Sequence, residues 1–380
     1  MTAARSRTIR NFSAGPAILP PEVFERAAAA VHELRLGGHD PAQPGIGMSI
    51  LEISHRSPPY DAVTKGAEEL CHTVLGIPRS HQVLFLQGGA SLQFAMVPMN
   101  LRVEGKPAAY IDTGAWSTKA IAESELLGPT EIVASSQETS FDRIPAMPAA
   151  ERYAGASYLH ITSNNTIYGT EWPEIPDAGD VPLVVDCSSD IGARPVALDR
   201  IGLGYAGAQK NLGPSGVTLV FIRKDLLARK PAGVVPKYLR YSTHAKDPSL
   251  FNTPNTFGVL VLKLMLEWLK GEGGVEAIAA RNVRKAEKLY ACLDASALCT
   301  PIAKVGSRSL MNVSWTLGGA PEGERAALTK RFLAEAEAAG FSGLKGHRSV
   351  GGLRASIYNA FPEAGVDDLV AFIREFERTA

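Results

Sequence analysis

The sequence lacks an excess of either charge. Across 380 residues, Lys plus Arg number 39 and Asp plus Glu number 39, so the formal net charge is zero. A chain that coats nucleic acid or an anionic membrane needs a broad positive surface, and this balance excludes both partner classes. It leaves room for a small local cluster of cations. Cysteine is scarce: Cys71, Cys187, Cys292 and Cys299 form no CxxC pair. They offer neither a disulfide framework nor a metal-ligand cluster, so no metal is expected. They read as buried thiols in a reducing cytosol, which predicts a cytoplasmic protein. Long apolar runs are missing too. No apolar core follows the basic stretch Met1 to Arg10, so it is not a signal peptide. The most apolar helical stretch, Phe257 to Lys270, carries Lys263 and Glu267 and is too short to span a bilayer. Internal repeats and low-complexity tracts are also missing.

What remains is a globular chain long enough for two domains. The first two-thirds alternate short apolar runs with helical patterns. Val83 to Leu86, Ala108 to Ile111, Tyr158 to Ile161, Leu183 to Val185 and Val217 to Ile222 are apolar throughout rather than alternating. Strands buried on both faces of a parallel sheet have that character, and their alternation with helices predicts βαβ units and an α/β fold. Beyond Phe257 the pattern changes. Val283, Ala286, Leu289, Tyr290 and Leu293 predict the buried stripe of a helix. Met311 to Trp315 and Leu353 to Ile357 read as strands, with a helix around 326–339 between them. A last helix places Val366, Leu369, Val370, Ile373 and Phe376 on one face. The expectation is a large domain over 16–268 and a smaller α+β domain over 269–380, joined by the N-terminal segment 1–15.

The sharpest segment is Gly207-Ala208-Gln209-Lys210-Asn211-Leu212-Gly213-Pro214-Ser215-Gly216. A lysine in a turn is ordinarily a surface residue. Here small residues flank it, and Asp186 closes the apolar run Leu183-Val184-Val185 upstream. A carboxylate at the end of a buried strand needs a partner. Two strand-end groups of one parallel sheet meet in the crevice at its carboxyl edge, where α/β folds bind ligands. A Lys and an Asp in one crevice point to pyridoxal 5′-phosphate (PLP), which needs an amine for a Schiff base and a carboxylate at its ring nitrogen. Gly88-Gly89-Ala90-Ser91 lies between a strand and a helical pattern, and a helix N-terminus cradles phosphate. Trp116, just after Gly114 at the next strand's end, is placed to stack on a ring.

These residues carry a resemblance. Asn11 to Pro16, Ser54-His55-Arg56, Gly88 to Phe94, Asp112 to Trp116, Tyr205 to Gly216, Phe251 to Pro254, Lys345 to Arg348 and Gly352 to Ala360 resemble motifs of the class V, PLP-dependent aminotransferases. Within that family they are similar to the branch acting on phosphoserine. The resemblance implies the type I fold, with a large, mostly parallel seven-stranded sheet and a smaller C-terminal domain. It implies Lys210 as the Schiff-base lysine, Asp186 at the pyridine nitrogen, Trp116 as the stacking ring and Thr166 at the phenolic oxygen. Ala90, Ser91 and Gln209 would meet the cofactor phosphate, as would Asn252 and Thr253 of a neighbouring subunit. A homodimer with shared active sites follows from that last pair.

The implied reaction is reversible amino transfer between O-phospho-L-serine and 2-oxoglutarate, giving 3-phosphooxypyruvate and L-glutamate, in serine biosynthesis. The phosphohydroxythreonine analogue of pyridoxine biosynthesis is a further implied substrate. Such anions need fixed cations, and Arg binds them in a bidentate manner. Arg354 resembles the α-carboxylate clamp. His347 with Arg348, and His55 with Arg56 from a partner, resemble the distal site. One departure is Ser91, where some members of the family carry Arg. Rival readings are a serine–glyoxylate type aminotransferase, a cysteine desulfurase using a mobile Cys, and a non-catalytic dinucleotide or phosphate module. The last requires a GxGxxG turn, which the Gly88-Gly89 loop does not supply.

Overall fold

The computed structural model describes residues 9–37 and 44–380. Residues 1–8 of the expected joining segment lie outside the described residues. The central sheet has seven strands: β1 (His81–Leu86), β2 (Ala108–Asp112), β3 (Thr130–Ser135), β4 (Leu159–Thr162), β5 (Leu183–Asp186), β6 (Ile201–Gly207) and β7 (Thr218–Arg223). Their order is β1-β7-β6-β5-β4-β2-β3. Only β7 runs against its neighbours; β2/β3, β2/β4, β4/β5 and β5/β6 pair in parallel. Every residue of β2, β4, β5 and β6 is buried. That is why their sequences are apolar without alternation: helices cover both faces. β3 lies at the sheet edge with a mostly exposed face, and its short apolar run Ile132-Val133-Ala134 was not singled out in the sequence.

Helices α1 (Pro21–His32), α2 (Pro58–Thr73), α3 (Gly89–Leu101), α4 (Ala115–Glu125) and α5 (Thr256–Gly271) surround this sheet. Phe94 and Val97 of α3 and Ile121 of α4 join Leu84, Val184 and Tyr205 in one apolar layer. On the other face α5 packs against α1 and α2, and it buries Val259, Leu262 and Leu266 with Val185 and Leu219 of the sheet. Leu262 is fully buried. Truncating it to Ala removes transfer energy and leaves a cavity, a loss of about 2–5 kcal/mol.

A second apolar cluster lies in the C-terminal third. It is built from α6 (Gly274–Ala295), β8 (Asn312–Thr316), α7 (Glu322–Ala338), β9 (Leu353–Ser356) and α8 (Glu363–Thr379). β8 pairs antiparallel with β9 and with the short strand Thr300–Pro301. An N-terminal segment also belongs here: Arg10–Asn11 pairs in parallel with Phe341–Ser342, and the Phe12 ring lies 4.4 Å from that of Phe361. On α6 the expected stripe needs one correction. Val283 is partly exposed, whereas Asn282 and Lys285 are buried. Both buried polar groups have fixed partners, which explains their place in the stripe. Asn282 Nδ2 donates to the Ala193 carbonyl and to Asn359 Oδ1, and Lys285 Nζ donates to the carbonyls of Ile357, Tyr358 and Phe361. Among the described residues no helix is long and apolar enough to cross a membrane.

Candidate active site

The carboxyl ends of the parallel strands open onto one cavity of about 330 Å³. β5 delivers Asp186, β4 delivers Thr162, and in register Thr162 faces Asp186 and Asp186 faces Tyr205. The loop after β6 delivers Gln209 and Lys210. β1 leads into Gly88 and Gly89, with φ of +87° and +66°. At Gly89 a Cβ would touch nothing within 4 Å, so glycine serves the left-handed backbone there rather than space. The turn starts α3 at the cavity, and the backbone N–H groups of its first turn have no helical acceptor. That is the chemistry of an anion cradle. β2 ends in Asp112, whose Oδ1 accepts from Ser117 Oγ at 2.7 Å and Thr118 Oγ1 at 3.1 Å. This ties down the start of α4, which carries Trp116. Gly114 there has φ of +136°, and a Cβ would stand 2.6 Å from the Tyr168 ring.

Lys210 Nζ donates to Thr166 Oγ1 at 3.0 Å and lies 5.7 Å from the centre of the Trp116 ring. Burial pushes the Lys210 amine down to about 8, against the attraction of Asp186 and Asp190. Asp186 is pushed the opposite way, upward, by burial, with Lys210 and the Ser188 N–H opposing. Each group is thus moved toward its neutral form by desolvation and held toward its charged form by the other. Behind them, the Ser163 hydroxyl is shared between Asp190 Oδ1 at 2.5 Å and the Asp186 carbonyl at 3.1 Å.

The cavity also gathers Ala90, Ser91, His347 and Arg354. Burial lowers Arg354 from the usual guanidinium value. Arg348 does not line the cavity, nor do His55, Arg56, Asn252 and Thr253. His55 and Arg56 sit together in an exposed loop, with Arg56 Nε donating to His55 Nε2 at 3.3 Å. The Thr253 carbonyl accepts from Gln87 Nε2 at 3.2 Å. Besides Ile167, four polar lining residues were missed from sequence: Thr162, Asn164, Ser188 and Ser189. Their signal was present, since each lies at or just after the end of a buried strand, where the apolar run turns polar. All four cysteines are buried, and burial pushes the Cys299 thiol up to about 11 and raises that of Cys292. Neither has the low-pKa, accessible thiol that a desulfurase requires.

PLP fits these residues. Trp116 Nε1, Thr162 Oγ1, Asn164 Oδ1 and Arg354 Nε are buried, belong to lining residues, and lack a hydrogen-bond partner among the described residues. Buried polar atoms without partners are costly, and a polar ligand offsets that cost. An amine, a buried carboxylate, an aromatic plate and an open helix N-terminus together match the aldehyde, ring nitrogen, ring face and phosphate of PLP. Fold and site define a PLP-dependent transaminase of the α/β class.

The comparisons with known proteins agree with that class. Residues 9–369 match Aminotransferase class-V, and the chain belongs to that family. A phosphoserine aminotransferase of Geobacillus kaustophilus is 51% identical over 97% of this chain and 98% of its own length. The solved phosphoserine aminotransferase of Bacillus circulans subsp. alkalophilus superposes with a TM-score of 0.90 at 46% identity, covering 98% of this chain and 99% of its own. A PLP-bound phosphoserine aminotransferase from Trichomonas vaginalis gives 0.85 at 33% identity, covering 96% and 99%.

Proposed function

We propose that this chain transfers an amino group reversibly between O-phospho-L-serine and 2-oxoglutarate. The observation that carries the reading is that Lys210, Asp186, His347 and Arg354 line one cavity. An amine with a carboxylate opposite defines a transaminase centre, and the Arg354 guanidinium with the His347 imidazole beside it suits substrates that carry two anionic groups.

In this reading Lys210, Asp186, Trp116, Thr166, Gln209 and the first-turn amides at Ala90 and Ser91 hold PLP. Bound there, PLP supplies an electron sink conjugated to the substrate's α-carbon. Lys210 Nζ, moved by burial toward its neutral form, takes the proton from that carbon and returns it as general base and acid. Thr166 Oγ1 orients the amine from 3.0 Å. Asp186 holds a proton at the ring nitrogen. Arg354 grips the α-carboxylate, and His347 with Arg348 meets the distal phosphate.

His55, Arg56, Asn252 and Thr253 complete the site from a second subunit. Leu51 is 61% exposed and Phe251 38%, and these apolar side chains flank the same two segments in sequence. An isolated chain would leave them in water, which favours a homodimer. The chain is read as a large domain over 16–268 and a small one over 269–380, working in the cytoplasm.

The test is turnover of phosphoserine, serine and alanine as amino donors with 2-oxoglutarate. Two charge-assisted contacts to the phosphate predict kcat/KM for phosphoserine on the order of 10³ above that for serine. Equal use of all three donors would sink the reading.

A further inference from the structure

We propose that Lys119 is a specificity-determining residue of the substrate site, supplying the positive charge that favours a dianionic distal group over a carboxylate. The inference rests on the function proposed above.

Lys119 lies one turn beyond Trp116 on α4, the helix whose start is fixed by Asp112. Its ammonium stands 4.4 Å from the centre of the Trp116 ring, a cation over an aromatic face. Trp116 lines the cavity together with His347 and Arg354; Lys119 is not itself a lining residue, and its ammonium lies against the Trp116 ring of that wall. Among the described residues no carboxylate forms an ion pair with Lys119. Its charge is therefore free to act on a ligand.

The site needs that charge. Ser91, at the start of α3, is neutral, and the amides around it face the cofactor phosphate. Lys210 is engaged with the cofactor, and Arg354 with the α-carboxylate. His347 is pushed below its usual range by burial first and then by the charges on Arg354, Arg348 and Lys119. A neutral imidazole donates a hydrogen bond without adding charge. A phosphate monoester carries close to two negative charges near neutral pH, a carboxylate one. Without Lys119, this chain would have only Arg348, beside His347 in sequence and outside the cavity lining, to offer the dianion a further full charge.

A field acts on a ligand in proportion to the ligand's charge. Removing one cation therefore multiplies KM for a dianion by the square of the factor for a monoanion. A packing defect at Trp116 has no such rule and weakens both substrates alike.

The experiment measures KM and kcat for phosphoserine and for glutamate with wild-type, Lys119→Gln and Lys119→Arg holoenzymes, with the absorbance band of the bound cofactor recorded for each. The expected result for Lys119→Gln is a rise in KM of about ten-fold for phosphoserine and about three-fold for glutamate, with kcat and the band little changed. Lys119→Arg should recover most of both. Equal factors for the two substrates, an unchanged KM for phosphoserine, or an Arg variant no better than Gln would each overturn the assignment. Wild-type enzyme that ignores phosphoserine would overturn the proposed function itself, and this assignment with it.

Discussion

The backbone N–H of Asn359 donates to Oδ1 of Asn211 at 3.0 Å. This bond joins the residue next to Lys210 to the turn that follows Arg354 and β9. Asn211 Nδ2 in turn donates to the Ile191 carbonyl at 3.2 Å, and Asn359 Nδ2 to the Gly192 carbonyl at 2.9 Å. The loop that carries Lys210 and the strand that carries Arg354 are thus held in register by two buried amides. Asn211→Ala leaves the Asn359 N–H and the Ile191 carbonyl without partners, at about 1–3 kcal/mol each. The expected outcome is a several-fold rise in KM for both amino donors and a lower denaturation midpoint. Asn211→Asp keeps the acceptor for Asn359 but sets a buried carboxylate against the Ile191 carbonyl, so it should not rescue the enzyme. A folded Asn211→Ala enzyme with wild-type KM values would show that the bond does not set the register.

The amine of Lys210 titrates near 8 rather than near the ordinary 10.5, because burial disfavours its charge. Only the neutral amine attacks an aldehyde. The rate at which the apo-protein takes up PLP should therefore climb as pH rises through about 8 and then level off. Asp186 favours the charged amine, so Asp186→Asn should move that midpoint to lower pH. Stopped-flow absorbance across about pH 6 to 10 reads both shifts. A flat profile would contradict them. The sign for stability follows from the same displacement. The folded chain holds fewer protons than the unfolded one between about 8 and 10.5, so this group's contribution becomes more favourable as pH rises through that window.

Lys285 is fully buried, and its ammonium donates to three carbonyls in the loop after β9. Lys285→Met keeps the volume but leaves those acceptors empty. A destabilisation of about 3 kcal/mol is expected by chemical denaturation. The loop also carries Tyr358, whose hydroxyl donates to the Ala14 carbonyl at 2.7 Å beside the cavity. The residual folded enzyme should accordingly show a raised KM. Unchanged stability would mean that water replaces the ammonium.

The proposed sharing of sites between two subunits makes a prediction about mixed dimers. Lys210→Ala homodimers lack the amine, and His55→Ala/Arg56→Ala homodimers lack the partner's cations. Unfolding and refolding the two together creates hybrids in which one site has every group. Random assortment then restores about a quarter of wild-type turnover. Mixtures no more active than their parents would place His55 and Arg56 in the same chain's site as Lys210, or outside any site.

Legibility in the sequence followed burial. Lys210 and Asp186 could be read because a charged side chain at the end of an apolar strand must meet a partner or a ligand, and both line the cavity. Trp116 and the Gly88-Gly89 turn were readable from their position at strand ends. The resemblance, rather than any spacing, pointed to Thr166. Edge strand β3 was not read, because Ile132-Val133-Ala134 is a short run in a largely solvated strand with only Val133 buried. The stripe on α6 was legible at Ala286, Leu289, Tyr290 and Leu293 but not at its start, where Asn282 and Lys285 take the buried positions that hydropathy assigns to Val283. Their partners lie on distant loops, and one-dimensional periodicity carries no record of those. Lys119 escaped for a related reason: its place beside the site depends on how α4 turns, not on any motif.

The pairing of Arg10–Asn11 with Phe341–Ser342 has a consequence for how the molecule is made. On the ribosome this first strand stays single until Phe341 has been synthesised and released from the exit tunnel. At ordinary elongation rates that wait lasts on the order of tens of seconds. The seven-stranded sheet has all its strands well before then, since its last one ends at Arg223. Ala14 and Gly15, which form part of the cavity wall, follow closely on the waiting strand. A nascent chain can thus complete its scaffold early, yet it gains a closed pocket only near the end of translation. Shortening the protein at either terminus should therefore damage the same pocket wall.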